Sequence, residues 1–378
     1  MEFQRYKLSQ LITIKNGKDY KHLEEGDVPV FGSGGYMCSV SSYLYDKVSI
    51  LLPRKGTLSN IQYFNNGKFW TVDTCFYSII NESLCNPYYL YRHLRSLDLS
   101  GYDTGASIPS MTQKTYNGIK VMLPSLPAQH RIASILSAYD NLIENNNKRI
   151  RLLEQMAENL YKEWFVRFRF PGHDKAEFEN GLPKGWRIGR LSEYGRIETG
   201  KTPSMLKQEY YGGEYLFIKT PDMHGNMFVR ETEETLSEKG NLSQPKKLLP
   251  IGSIMVSCIG SGGVVAINAK QGHTNQQINS IILSNTEDLE WLYFTCKALK
   301  PMIELFGATG ATMTNLSKGK FEKLKVIEPP FNLRKLFHLK TKSMFDEILK
   351  FEESNTSLSR QRDLLLPRLM SGKLEVNV

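Results

Sequence analysis

The sequence predicts an α+β chain: two tandem globular domains of mixed helix and strand, each followed by a long helix. The two helices are expected to pair as an antiparallel coiled coil, giving a pseudo-twofold internal repeat. Three observations predict this. A stretch of sequence recurs without a gap 205 residues later, a heptad series follows each copy, and short β-type runs separated by Gly, Asn and Ser precede them.

The recurring stretch is GASIPSMTQKTYNGIKVMLP at 105–124, set against GATMTNLSKGKFEKLKVIEP at 310–329. Gly105, Ala106, Lys120, Val121 and Pro124 meet identical residues at Gly310, Ala311, Lys325, Val326 and Pro329. Ser107/Thr312, Met111/Leu316, Tyr116/Phe321 and Ile119/Leu324 are physical equivalents. The opening of the unit repeats at a different spacing. Leu8-Ser9, Ile14, Gly17 and Lys18 match Leu191-Ser192, Ile197, Gly200 and Lys201, 183 residues on. The 22-residue difference means insertions in the second domain or losses from the first. The two interiors are therefore expected to differ more than their frames.

The helices are read from Ile132, Leu136, Tyr139, Ile143, Asn146, Ile150, Leu153, Ala157, Leu160 and Trp164, which step alternately by four and three. This is the seam of a helix packed lengthwise on another helix. The same positions 205 residues on are Phe337, Thr341, Met344, Ile348, Phe351, Asn355, Leu358, Arg362, Leu365 and Leu369, in phase but more polar. The first helix is expected over about 129–168, broken by Pro171-Gly172. The second is expected over about 333–370, with Pro367 bending its last turn. The 33 residues from Ile132 to Trp164 span ~50 Å as α-helix. Asn146 and Asn355 read as register-setting polar positions. The alternative is that the heptads only build an intrachain core or a homodimer seam. In the first domain, β-type runs are read at 28–31, 48–52 and 75–80, and Pro124 and Pro127 are taken to close it.

Composition narrows the class. The chain has 378 residues, 40% of them hydrophobic, enough for two cores of ordinary size. No apolar run reaches the ~18–20 residues of a membrane span, and the first residues lack the apolar core of a signal peptide. Five widely spaced cysteines (Cys38, Cys75, Cys85, Cys258, Cys296) without a CxxC pair argue against a disulfide framework or a zinc site. They fit a reducing cytoplasm, where the protein is expected. A net charge of +9 suits a polyanionic partner.

With the repeat and heptads in place, the chain resembles the specificity subunit of type I restriction-modification systems. The cues are the run from Leu123 through Pro124, Pro127, Gln129, His130, Arg131, Ile132 and Ala133, then Ile135-Leu136 and Asp140. Others are Leu160-Tyr161-Lys162-Glu163-Trp164-Phe165, the linker Leu182-Pro183-Lys184-Gly185-Trp186, and the closing stretch 361–374. Inside the domains, the motifs at 28–35, Arg54-Lys55-Gly56-Thr57 and Asp73-Thr74 are similar to one family subtype. Those at 199–204 and 274–277 are similar to another. The resemblance implies a target-recognition domain at 1–128, a central spacer helix at 129–170, a second target-recognition domain at 171–330 and a C-terminal spacer helix at 331–378. Each domain would read one half of a bipartite, asymmetric double-stranded DNA site. The helices would set the gap and dock two methyltransferase subunits. The chain itself would bind no cofactor and carry no catalysis; S-adenosylmethionine is expected on the partner subunits. Whether restriction endonuclease/translocase subunits join is left open. The second repeat departs from the family pattern at Phe331-Asn332-Leu333-Arg334.

Residue types say little for an active site. Asn86-Pro87-Tyr88-Tyr89 lacks the second proline of the NPPY loop of adenine methyltransferases, and 31–35 does not keep the FxGxG spacing of a cofactor loop. Pro221-Asp222 lacks a following acid-x-Lys triplet, and the seven histidines form no HxxxH pair. For DNA, Arg54 and Lys55 before Gly56, with Thr57, put two cations on a tight turn suited to phosphate or to guanine O6/N7. Asn275, Gln276 and Gln277 are amides of the type that pairs with adenine N6/N7; the alternative is a structural turn satisfying its own backbone. Lys201, Thr202 and Ser204 beside Gly200 read as a backbone-binding turn or a solvated loop. Ser107, Thr312 and Lys318, in the repeated stretch, read as DNA-positioning or scaffold residues.

Overall fold

A computed structural model describes residues 2–103, 105, 108–307 and 314–377. The chain divides into two compact units, 1–145 with 355–378, and 146–354. Both cuts fall inside a long helix. Each unit therefore contains a globular domain, the start of the helix that follows it, and the end of the other helix.

The central helix, Leu126–Tyr161, begins earlier than expected and passes into a π-helical turn, Lys162–Val166. Pro127, expected to close the domain, sits in the helix's first turn, where a missing N–H leaves no hydrogen bond unmade. The C-terminal helix, Phe331–Met370, also starts earlier and continues through Pro367. Within the second unit the helices run antiparallel. The Arg149 guanidinium lies 5.6 Å from the Phe351 ring, while the later Tyr161 meets the earlier Phe337 at 6.4 Å. In the first unit, Arg362 donates to Asp140 Oδ1 at 2.7 Å.

Along the seam, Ile132, Leu136, Ala157, Trp164, Phe337, Ile348 and Leu369 are buried. Tyr139, Ile143, Ile150, Leu153, Leu160, Met344, Phe351, Leu358 and Leu365 are half-buried. Each fully buried Leu, Ile or Phe contributes roughly 1.5–3 kcal/mol over an exposed one. The polar seam positions are provided for: Asn146 Nδ2 donates to Ser354 Oγ at 3.4 Å, and the buried Thr341 hydroxyl donates to the Phe337 carbonyl at 2.8 Å.

In the first unit, strand Phe3–Lys7 pairs antiparallel with Lys120–Pro124, placing Lys7 opposite Lys120. A four-stranded antiparallel sheet has the order Ile12–Asn16, Cys75–Ile80, Ser49–Pro53, Gln62–Phe64. Its inner strand Ser49–Pro53 is buried at every residue, matching its continuous apolar run. A smaller sheet joins Gly35–Val40, Glu25–Gly32 and Trp70–Thr71.

The second unit repeats this frame. Arg187–Arg190 pairs antiparallel with Lys325–Glu328, Arg190 opposite Lys325. A five-stranded sheet has the order Gly195–Thr199, Ile278–Leu283, Ile254–Ser257, Val265–Asn268, Phe228–Val229. A three-stranded sheet joins Thr235–Leu236, Tyr211–Ile218 and Gly272–Thr274. The pairs Lys7/Lys120 and Arg190/Lys325 carry the spacings 183 and 205 found in the sequence. Most of the added length lies between strands Tyr211–Ile218 and Ile254–Ser257.

Each domain lays one ten-residue helix, Pro87–Ser96 or Leu289–Ala298, near the long helices. In the first unit the contact is ionic. Asp140 binds Arg92 and the Tyr88 hydroxyl through Oδ2 and Arg362 through Oδ1. Burial works against the Asp140 carboxylate, but hydrogen bonds from Tyr88 and Arg362 and the Arg92 charge outweigh it and hold its pKa below the usual range. At the matching positions the second unit has Phe294, Phe345 and Ala157, all buried, with the two rings 5.8 Å apart.

Candidate nucleic-acid interface

The repeat brings the same three backbone pieces together in each domain. The first is the turn after the opening strand of the larger sheet. The Lys18 N–H donates to the Thr71 carbonyl at 2.8 Å, and the Lys201 N–H to the Thr274 carbonyl at 2.9 Å. The preceding glycine is needed for this approach: a Cβ on Gly17 would lie 2.0 Å from the Val72 oxygen, and one on Gly200 2.2 Å from the Asn275 oxygen. The second piece follows the accepting threonine. The Val72 N–H donates to the Phe31 carbonyl at 3.0 Å, and the Asn275 N–H to the Ile218 carbonyl at 3.1 Å. The third is the turn leaving the inner strand. Arg54 and Cys258 occupy one position: their N–H groups donate to the Thr74 and Gln277 carbonyls at 2.8 and 2.7 Å, and their carbonyls accept from Met111 and Leu316 at 3.0 and 2.9 Å. Gly56 and Gly260 close these turns with φ of +92° and +77°.

On this shared frame the side chains differ. In the first domain Arg54, Lys55, Thr57 and Asp73 are exposed. Arg54 Nη1 donates to the Asp73 carbonyl at 3.3 Å, which sets the guanidinium beside the Asp73-Thr74 edge. Gln113 Nε2 donates to Asn16 Oδ1 at 2.9 Å and adds an amide pair to that edge. In the second domain the amide tract Asn275-Gln276-Gln277 stands where Val72-Asp73-Thr74 stand in the first. Thr202 donates to Gln276 Oε1 at 2.7 Å, Asn275 Nδ2 to Gln277 Oε1 at 3.3 Å, and Gln277 accepts from Thr220 at 3.4 Å. The tract satisfies part of its own backbone, Asn275 Oδ1 accepting from the Gln277 N–H at 3.1 Å, while Gln276 stays exposed.

Lys201 and Ser204 are exposed on the same turn, followed by Met205 and Leu206, which are 69% and 95% exposed. Lys318 opens a separate short helix, Lys318–Glu322, with Nζ 3.9 Å from Glu322. Ser107 and Thr312 lie outside the described residues, as do Ala106, Gly310 and Ala311. Gly105 is described: its N–H and that of Ser110 both donate to Asp103 Oδ1 at 2.8 Å, and these two bonds lower the Asp103 pKa.

The structure brings to these edges residues that the sequence did not single out as candidate contacts: Lys18, Asn16, Gln113 and Asp73 in the first domain, and Thr199, whose hydroxyl donates to Asn279 Oδ1 at 2.6 Å, in the second. The signal for Lys18 was its match to Lys201. Asn86, the residue of the NPPY-like run, is the N-cap of helix Pro87–Ser96: its Oδ1 accepts from the Tyr89 N–H at 3.0 Å. Its N–H donates to Gln129 Oε1 at 3.0 Å. The departure at Phe331–Arg334 has a counterpart here. Arg334 stands where Gln129 does, buried, at 3.3 Å from Asp288 and 3.6 Å from Glu328, with its guanidinium against the Tyr194 and Trp291 rings. No helix among the described residues is long and apolar enough to cross a membrane.

Residues 1–155 and 183–342 match the family model described as the type I restriction modification DNA specificity domain. The chain is 30% identical over 362 residues to the type I restriction enzyme HindI specificity subunit of Haemophilus influenzae, covering 78% of this chain and 79% of that protein. It is 24% identical over 375 residues to the type I restriction enzyme MjaIX specificity subunit of Methanocaldococcus jannaschii, covering 95% and 84%. Its fold is similar to that of the S subunit of a type I restriction-modification system from M. genitalium, with a TM-score of 0.66 at 15% identity over 100% of this chain and 97% of that one. One model matching twice, on the two halves of a repeat that builds the same edge from different side chains, places the chain in the family of type I restriction-modification DNA specificity subunits.

Proposed function

We propose that each domain reads one half of a bipartite, asymmetric duplex DNA site, and that the paired helices set the unread gap and dock two methyltransferase subunits. The observation that carries this reading is the matched edge: three backbone pieces held by equivalent hydrogen bonds, with Arg54, Lys55 and Asp73 on one copy and Gln276, Thr202 and Lys201 on the other. Backbone contacts position a protein on DNA and base-edge contacts specify sequence. A common frame with different side chains divides the work in that way. Arg54 suits guanine O6/N7 and Gln276 suits adenine N6/N7. Methyl transfer, with S-adenosylmethionine, belongs in this reading to the partner subunits, and this chain supplies no catalytic group.

Methylation-site sequencing of the host genome tests the proposal. The expected result is a two-part motif with a fixed gap. Removing one heptad from each long helix should shorten the gap and leave both half-sites unchanged; altered half-sites would overturn the role given to the helices. Methyl transfer by the purified chain alone would overturn the assignment of catalysis to the partners.

A further inference from the structure

Lys18 and Lys201 stand at the same point of the two domains, exposed, and each is pinned through its own peptide group. The N–H of each is held by a threonine carbonyl, Thr71 or Thr274. The carbonyl is held too, but by different chemistry. The residue before the accepting threonine is Trp70 in one domain and His273 in the other, both buried. Trp70 Nε1 donates straight to the Lys18 carbonyl at 2.8 Å. In the second domain Gln244 Nε2 donates to the Lys201 carbonyl at 3.1 Å and lies 3.3 Å from His273 Nδ1. His273 Nε2 is in turn 3.0 Å from Asn241 Oδ1. Asn241 and Gln244 come from the segment that the second domain has in addition.

A loop carbonyl at a surface needs no protein donor, because water satisfies it. Here two unrelated sets of buried side chains end on the same carbonyl in both copies, while most side chains along the edge have diverged. What is kept is the placement of one cation. We propose that Gly17-Lys18 and Gly200-Lys201 are a matched pair of DNA-backbone anchors, with Trp70 and the Gln244–His273–Asn241 chain as the positioning residues that hold them. The proposal rests on the DNA-reading function given above. Because the lysine is common to both domains, its partner is a phosphate and not a base.

The test uses the full-length chain with the subunits that co-purify with it, and duplex DNA selected by the wild-type protein from a randomised pool. Lys18→Met and Lys201→Met should each reduce the slope of log affinity against log salt by about 1, since each anchor lost releases one counterion fewer. Trp70→Phe keeps the ring and removes the donor, and should weaken binding by about two- to tenfold. The same substitution in the Lys18→Met background should cost nothing further, a non-additivity that a merely structural tryptophan would not show. Gln244→Met should behave likewise against Lys201→Met. Should Trp70→Phe unfold the first domain, the Gln244 cycle decides the same question on the second.

Unchanged salt slopes in both lysine variants would overturn the anchors. Additive losses would overturn the positioning role. A wild-type complex with no salt-dependent duplex binding would overturn the DNA-reading function itself, which distinguishes the two failures.

Discussion

The two domains close onto the long helices at the same three positions with opposite chemistry. In the first, Arg92, Asp140 and Arg362 form a charged network, with the Arg92 side chain 7% exposed and that of Asp140 27%. In the second, Phe294, Phe345 and Ala157 form an apolar contact. What the scaffold requires there is a filled, satisfied junction, and either solution meets it. Gln129 and Arg334 teach the same lesson about three turns earlier. The amide accepts from the Asn86 N–H and donates to the Leu84 and Pro124 carbonyls, whereas the guanidinium sits between Asp288 and Glu328. Both tie the start of a long helix to the loop that caps the domain's own ten-residue helix.

The comparison breaks most visibly at the charged junction. Asp140→Ala would leave Arg92 buried and unpaired and should destabilise the first unit by about 3 kcal/mol, the low end of the range for buried pairs because Asp140 is partly exposed. Transplanting the other solution, with Arg92→Phe, Asp140→Phe and Arg362→Ala together, should be neutral or stabilising. Denaturant unfolding followed on Trp70 reads this directly, since the other tryptophans (Trp164, Trp186, Trp291) lie in the second unit. A triple variant as unstable as Asp140→Ala would mean that the junction depends on its charges.

The matched glycines come next. Gly17→Ala and Gly200→Ala should each cost about 1–3 kcal/mol, because the new Cβ meets backbone oxygens that cannot move aside alone. Equal losses in separate unfolding transitions are expected; a loss at one glycine only would show that the edge is not a common frame. Smaller still is Arg54→Ala, which should reduce discrimination at one half-site about fivefold or more and leave the other unchanged, read by selection from a randomised duplex pool. A change at both half-sites would assign Arg54 to general backbone binding.

These contrasts show what the sequence could and could not disclose. The frame was legible because each edge keeps a spacing of its own, 183 residues at the opening and 205 at the close, and the two edges pair: Lys120 and Lys325 face Lys7 and Arg190. The seam was legible because period alone carries it. Arg362 looked only like a polar interruption of that seam, since its partners Asp140 and, through it, Arg92 come from remote parts of the chain. Pro127 was read as closing the domain ahead of a helix from about 129, whereas it lies in that helix's first turn, where a proline's missing N–H costs no hydrogen bond. Trp70 and His273 could not be matched at all. The added residues fall between the two repeat spacings, and nothing in residue type equates an indole with an imidazole until strand pairing sets Trp70 opposite Val30 and His273 opposite Phe217.

That last pair sets apart the two ways of holding a lysine by their response to acid. Burial pushes the His273 pKa down from 6.5 to about 4. Its folded-state pKa is depressed, so its contribution to stability is unaffected above 6.5 and declines as the pH falls toward 4, where the unfolded chain gains the proton first. Protonation makes both ring nitrogens donors, so Nδ1 can no longer accept from Gln244, and the grip on the Lys201 carbonyl loosens. Trp70 has no proton to gain, and the Lys18 turn should stay as it is. At pH 5 only about a tenth of His273 is charged, so the expected change is a small shift in population. Amide NMR titration should show the Lys201 signal moving with a midpoint near that of the His273 ring, while the Lys18 signal does not follow it. A Lys18 amide moving in step would mean that acid loosens the edge as a whole and that the relay has no separate role.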